Sequence, residues 1–157
     1  YLRIMRRAVF PGSFDPITLG HENIIRRAIP MFDEIVIAIG VNGSKKSMFT
    51  LDQRIEMLTR VFSNAASVNV ETFSGLTVRF CEKVKAEWML RGVRNGADFE
   101  YERTIAQMTK KLNPSLETVI LFTDPEFAPI SSTVVRDILA NGGDVSSFVP
   151  KAVLDFV

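Results

Sequence analysis

The chain has one cysteine, one histidine and one tryptophan among its 157 residues. A lone Cys81 excludes an internal disulfide and fits a reducing, cytoplasmic compartment. It lies in the amphipathic stretch Val78 to Ala86 with no metal-binding companion, so it reads as a packed thiol. One histidine and one cysteine cannot build a His/Cys metal cluster, and no metal ligand is expected from the protein. No Cys-His pair exists, and no Ser-His-Asp order is evident, so the usual activated nucleophiles are missing.

Long apolar runs are missing too. None approaches the ~18 residues of a membrane span, so no membrane partner is expected. Charge of one sign is also absent: Lys and Arg total 19 against 18 for Asp and Glu, a net +1. Without a basic block or tail, a nucleic acid partner is not expected, whereas small anionic substrates need only a few local cations. The first residue is Tyr1; Met5 as a natural start, or residues lost from the end, would each account for it. Arg3, Arg6 and Arg7 precede only a short strand and do not read as a secretory leader. Two phosphate fingerprints are lacking, G-x-x-x-x-G-K-[ST] and a G-x-G-x-x-G after the first strand.

What is present is an ordinary globular composition, 46% apolar and 24% charged. The length predicts one domain over 1–157. Apolar runs of strand length alternate with helical periodicity. Strands are predicted at Arg7–Phe10, Glu34–Ile39, Ser67–Phe73, Glu87–Leu90 and Glu117–Phe122. Helices are predicted at His21–Met31, Leu51–Ser63, Leu76–Lys85, Phe99–Leu112 and Thr133–Ala140, with a short one after Pro150. Thr50 and Gln53 form a capping box, and Asn141-Gly142-Gly143 is a C-terminal stop. Nearly continuous apolar strands such as Ile35 to Ile39 imply burial on both faces. The expectation is therefore an α/β, Rossmann-like domain: a five-stranded parallel sheet with helices on both faces.

In such a sheet, ligands sit beyond the carboxyl ends of the strands. Each predicted strand-to-helix loop carries hydroxyls, glycines or cations. They are Ser13 and Phe14 with Thr18 to His21; Asn42 with Ser44 to Lys46; Ser74 to Thr77; Arg91 to Arg94; and Thr123 to Pro125 with Phe127 and Ile130 to Thr133. Histidine at a helix mouth suits polyphosphate, being close to cationic at neutral pH and donating from a rigid ring. Each feature has a plainer reading beside this one. Gly12 and Gly20 serve tight turns, with His21 a surface residue; Lys45 and Lys46 are a solvated pair. Arg91 and Arg94 form structural ion pairs, Ser131 to Thr133 only cap a helix, and Trp88 is core. The convergence of all five loops favours a donor-and-cation site for a polyanion, which suits phosphoryl or nucleotidyl transfer.

Thr18-Leu19-Gly20-His21, paired with Ile130-Ser131-Ser132-Thr133-Val134-Val135-Arg136, resembles the (H/T)-x-G-H and I-S-S-T-x-x-R motifs of the nucleotidyltransferase superfamily. Pro11 to Pro16, Ser44 to Phe49, and Arg91 to Arg94 running on to Asp98 to Glu102 narrow the resemblance to the bacterial-type phosphopantetheine adenylyltransferase family. It implies ATP and 4′-phosphopantetheine as substrates, dephospho-coenzyme A and pyrophosphate as products, Mg²⁺ as cofactor, a homohexamer, and feedback inhibition by coenzyme A. His21, Ser13, Lys45 and Arg94 are then the expected catalytic set. Ser13 touches both substrates, and Phe14 offers its backbone to ATP. Lys45 and Arg91 hold the phosphopantetheine phosphate, with Thr77 along the pantetheine arm. Gly92, Val93, Arg94 and Glu102 hold the nucleotide. Phe127, Ala128, Pro129, Ile130, Ser131, Ser132 and Thr133 wrap adenine and phosphates.

Leu19 and Thr77 stand where many relatives carry a polar and an apolar residue respectively. A transferase for another phosphate acceptor, such as nicotinamide mononucleotide or glycerol 3-phosphate, and a non-catalytic nucleotide-binding subunit are the alternatives.

Overall fold

The computed structural model describes residues 4–157; Arg3 of the basic start lies outside them. Five strands form one parallel sheet: β1 (Arg7–Gly12), β2 (Glu34–Gly40), β3 (Val68–Phe73), β4 (Trp88–Val93) and β5 (Glu117–Phe122), in the order β3-β2-β1-β4-β5. The helices are α1 (Leu19–Ala28), α2 (Leu51–Val61), α3 (Thr77–Lys83), α4 (Gly96–Leu112) and α5 (Ser132–Ala140). Short 3-10 segments lie at Ile29–Met31, Pro125–Phe127 and Lys151–Phe156.

The alternation within β2 explains the layers. Ile35, Ile37 and Ile39 face a core completed by Ile24 and Ile25 of α1, Met57 and Leu58 of α2, and Val135 of α5. Val36 and Ala38 face the opposite core, with Val78, Phe80 and Cys81 of α3. The chain moves outward through β2 and β3, then crosses back to β4 and β5. With right-handed crossovers, α1 and α2 lie on one face and α3 and α4 on the other. The expected two-faced Rossmann-like sheet is what forms.

Several boundaries differ from the sequence reading. β4 does not stop at Leu90: Arg91, Gly92 and Val93 continue the ladder with Ile120, Leu121 and Phe122 of β5. The apolar run had broken, but the backbone pairing had not. α4 begins a turn before Phe99, because the Asn95 side chain accepts from the Asp98 amide at 2.9 Å and caps it. α1 ends at Ala28, where Pro30 imposes a 3-10 turn.

The reversal of strand order falls between β1 and β4, which makes their carboxyl ends the crevice of the sheet. The register there is short. β1 pairs with β2 from Arg7 to Gly12, but with β4 only at Ala8↔Trp88 and Val9↔Met89. Beyond Val9 the two central strands lose their mutual ladder. The Arg91 side chain spans the opening instead, donating from Nη1 to the Pro11 carbonyl at 2.8 Å.

Candidate active site

His21 occupies the third residue of α1 and completes a capping box with Thr18. The Thr18 amide donates to His21 Nδ1 at 3.1 Å, and the His21 amide donates to Thr18 Oγ1 at 3.4 Å. This position more often carries Glu or Gln, as Gln53 does in the box that starts α2. Because Nδ1 must accept from a backbone N–H, the neutral ring carries its proton on Nε2, which leaves a fixed outward donor. Phe14 and Phe10 stand edge-on to the ring, with centroids 5.2 and 6.4 Å away.

Burial, with the Arg91 and Arg94 guanidiniums next in effect, lowers the His21 pKa from 6.5 to about 4. The near-cationic histidine expected from sequence is thus corrected. At neutral pH the ligand-free ring is uncharged, because both desolvation and two neighbouring cations oppose its protonation. The unfolded chain takes up this proton near pH 6.5 and the folded chain only near 4. The associated stability is therefore complete above 6.5 and is lost as pH falls from 6.5 towards 4. Ring ¹H–¹⁵N NMR reads this group alone, since the chain has no second histidine. An Nε2–H tautomer is expected at pH 7, with titration centred near 4; a midpoint above 6 in the ligand-free protein would remove the assignment.

The Ser13-Phe14-Asp15 turn lies beside His21 and is held from several sides. Phe14 adopts φ +47, a left-handed conformation that costs a non-glycine residue about 1 kcal/mol or more. Its ring is buried, so only its backbone is available to a ligand. A Cβ on Gly12 would stand 3.0 Å from that ring, so the glycine lets the phenylalanine fold back over β1. Arg54 Nη1 donates to the Ser13 carbonyl and Arg136 Nη1 to the Asp15 carbonyl, each at 2.8 Å. The buried Asp15 carboxylate accepts the Met48 and Phe49 amides, both at 2.9 Å. That pair of bonds anchors the exposed loop carrying Lys45 and Lys46 to the first loop. Sequence reasoning did not single out Arg54 or Asp15 individually; the polar side chain inside Pro11 to Pro16 was the only available hint.

Arg91 and Glu102 meet as an ion pair. Arg91 Nη2 and Nε donate to the two Glu102 oxygens at 2.5 and 2.8 Å, and the carboxylate is buried. The sequence reading favoured anion binding over an ion pair at Arg91. The pairing was hidden because α4 brings Glu102 back over β4. Arg94 is exposed and bonded to Asp98 at 3.1 Å, yet its charge still reaches His21. Gly92 and Val93 lie inside β4, and Val93 is fully buried, so only its backbone can meet a ligand. Thr77 starts α3 with its backbone at the end of β3.

The serine cluster divides its work. Ser131 caps α5, its oxygen accepting from the Val134 amide at 3.2 Å. Ser132 donates to the Pro16 carbonyl at 2.8 Å, and the hydroxyl of the exposed Thr133 accepts from Arg136 Nη2 at 3.4 Å. Ile130 is buried; Phe127, Ala128 and Pro129 run past the first turn of α1. Phe127 shares a groove of about 350 Å³ with Leu19, Asn23 and Arg27. Among the described residues no group of three His, Cys, Asp or Glu could hold a metal ion. The nearby carboxylates of Asp15, Glu102 and Asp98 are all engaged by donors of the chain.

A cytidylyltransferase-like family model matches residues 9–138. The sequence is 52% identical to a phosphopantetheine adenylyltransferase of Flavobacterium psychrophilum, over 95% of this chain and 98% of that one. The corresponding Flavobacterium johnsoniae protein is 54% identical over 95% and 97%. One from Leptospira biflexa is 46% identical over 93% and 91%. In fold, the chain is similar to a Vibrio parahaemolyticus protein assigned provisionally as a nicotinate-nucleotide adenylyltransferase. That likeness has a TM-score of 0.70 and 17% identity, over 97% and 93% of the two chains.

Proposed function

This chain belongs to the phosphopantetheine adenylyltransferases of the cytidylyltransferase-like family, and from that premise we propose how its own residues serve the reaction. It moves the adenylyl group of ATP onto 4′-phosphopantetheine, giving dephospho-coenzyme A and pyrophosphate for coenzyme A biosynthesis. The observation that carries the residue assignment is the locked Nε2–H donor of His21 at the mouth of α1, beside the crevice between β1 and β4.

A phosphate monoester is already anionic at neutral pH, with a second pKa near ~6, so no general base is needed. An oxygen of the phosphopantetheine phosphate attacks the α-phosphorus of ATP, and the bond to the bridging oxygen of pyrophosphate breaks. His21 donates from Nε2 to the phosphate oxygens as charge builds, assisted by the dipole of α1. Ser13 faces both substrates, and the Phe14 amide faces ATP. Lys45 supplies an exposed cation to the phosphopantetheine phosphate, and Thr77 borders its arm. Arg94 and the backbone of Gly92 and Val93 face the nucleotide, with Phe127 to Thr133 around its base and phosphates. Arg91 offers the Nη edges not spent on Glu102, so its part is to fix the crevice as well as to attract phosphate.

Mg²⁺ is proposed to enter as the counter-ion of ATP and not as a resident metal; the bonding of Asp15, Glu102 and Asp98 within the chain supports that reading. A cytoplasmic location and feedback by coenzyme A are part of the same reading. No helix among the described residues is long and apolar enough to cross a membrane.

The homohexamer is proposed with a specific surface. Along α4, Tyr101, Ile105, Met108 and Leu112 form an exposed apolar stripe at helical spacing, Tyr101 being 65% exposed. Its proposed occupant is a second copy of this chain. Ile105→Glu with Met108→Glu should convert the assembly to smaller species in light scattering after gel filtration; an unchanged mass would exclude this face from the interface.

Pyrophosphate release tests the activity itself. It should require ATP and 4′-phosphopantetheine together, and nicotinamide mononucleotide or glycerol 3-phosphate should not substitute. In the same assay Lys45→Ala should raise KM for phosphopantetheine about tenfold or more, the value of a charged hydrogen bond. Unchanged KM and kcat would remove Lys45 from the site.

A further inference from the structure

The arginines of this chain mostly stand beside an acid: Arg26 with Glu22, Arg27 with Asp124, Arg91 with Glu102, Arg94 with Asp98. Arg54 is different. It is only 6% exposed, yet among the described residues no carboxylate lies within ion-pair distance of it. Its Nη1 donates to the Ser13 carbonyl, and its buried Nε meets no acceptor among the described residues. A desolvated guanidinium without an anion is unfavourable in a ligand-free protein. Such a charge is explained when its counter-ion arrives with the ligand.

The surrounding bonds show how it would act. Asp15 holds the Met48 and Phe49 amides, and Thr50 and Gln53 then start α2. One turn into that helix, Arg54 reaches back to Ser13. Turn and helix therefore form a closed latch on either side of Phe14, whose φ of +47 needs outside support. We propose that Arg54 is a positioning residue of the polyphosphate site, bracing the Ser13-Phe14 turn from beneath while substrate phosphates balance its charge. This role rests on the reading of Ser13, Phe14 and His21 as that site.

The test compares the full-length wild type with Arg54→Met and Arg54→Lys. It follows thermal unfolding with and without pyrophosphate, and steady-state kinetics. Arg54→Met replaces an unpaired buried charge by an apolar chain of similar length. Ligand-free, it should unfold near the wild-type temperature, because relief of the unpaired buried charge offsets the lost bond to the Ser13 carbonyl. Its pyrophosphate-induced rise in unfolding temperature should shrink, and KM for ATP should rise about tenfold or more. Arg54→Lys should recover part of the pyrophosphate response.

A ligand-free Arg54→Met that unfolds earlier, with its pyrophosphate shift and KM unchanged, would make Arg54 a structural brace only and overturn the proposal. If Arg54→Met does not fold, Arg54→Lys decides: a full wild-type pyrophosphate shift on a weakened protein overturns it equally. A wild type that turns over no substrate and ignores pyrophosphate overturns the site reading itself, and this role with it.

Discussion

His21→Ala is expected to lower kcat by about 10³-fold, the scale on which removing one preorganised donor to a developing charge slows a reaction. The same substitution opens the capping box, because Thr18 loses the acceptor for its amide, at a cost of about 1 kcal/mol of stability. The two effects can be separated. Gln53 shows that glutamine at this helical position takes up the capping amide, at 2.9 Å. His21→Gln should therefore restore the unfolding temperature while regaining only part of the turnover, since a free-swinging amide replaces a ring fixed by its own helix cap. Near-normal turnover in His21→Ala would end the claim that this ring stabilises the transferring adenylyl group. A bell-shaped pH profile of kcat/KM, the quantity that reports the free enzyme, with its acid limb set by His21 near pH 6.5 would likewise contradict a ring held neutral down to about 4.

Glu102→Ala should cost about 3 kcal/mol of folding stability, because it leaves the partly buried Arg91 guanidinium without its carboxylate. Arg91 keeps 26% of its side chain accessible, so water tempers the loss and the lower end of the range applies. A double-mutant cycle with Arg91→Ala isolates the pair. Coupling of about 2 kcal/mol is expected from denaturant unfolding, whereas sites that act independently add to within a few tenths. If Glu102→Ala instead left stability intact and raised KM for ATP alone, the carboxylate would be a nucleotide contact and not the anchor of Arg91. The distinction matters for function, since Arg91 also spans the gap where β1 and β4 cease to pair.

The layered fold was readable because its signals are local. Ile35 to Ile39 announce a strand buried on both sides, and Thr50 with Gln53 marks the start of α2 within a single turn of chain. The elements misjudged at their ends, β4 and α4, were those where a local signal was interrupted or delivered by a side chain. Arg91 broke the apolar run without breaking the ladder, and Asn95 capped the helix four residues before its first aromatic. The site was legible as a set of loops, since a parallel sheet delivers every strand end to one edge. Its chemistry was only half legible. Ser131, Ser132 and Thr133 looked alike in sequence, yet one caps, one ties down Pro16 and one accepts from Arg136.

The sequence by itself determined the parallel α/β sheet, the edge on which ligands belong, and the families its paired motifs resemble. Short-range periodicity and strand-end composition suffice for those. Tertiary structure alone decided the state of each charge: a His21 ring made neutral by burial beside Arg91 and Arg94, an Arg91 tied to Glu102 from the next helix, and an Arg54 left without an acid among the described residues. Charge interactions depend on distance and desolvation between residues far apart in the chain, and neither quantity exists until the sheet has brought them together.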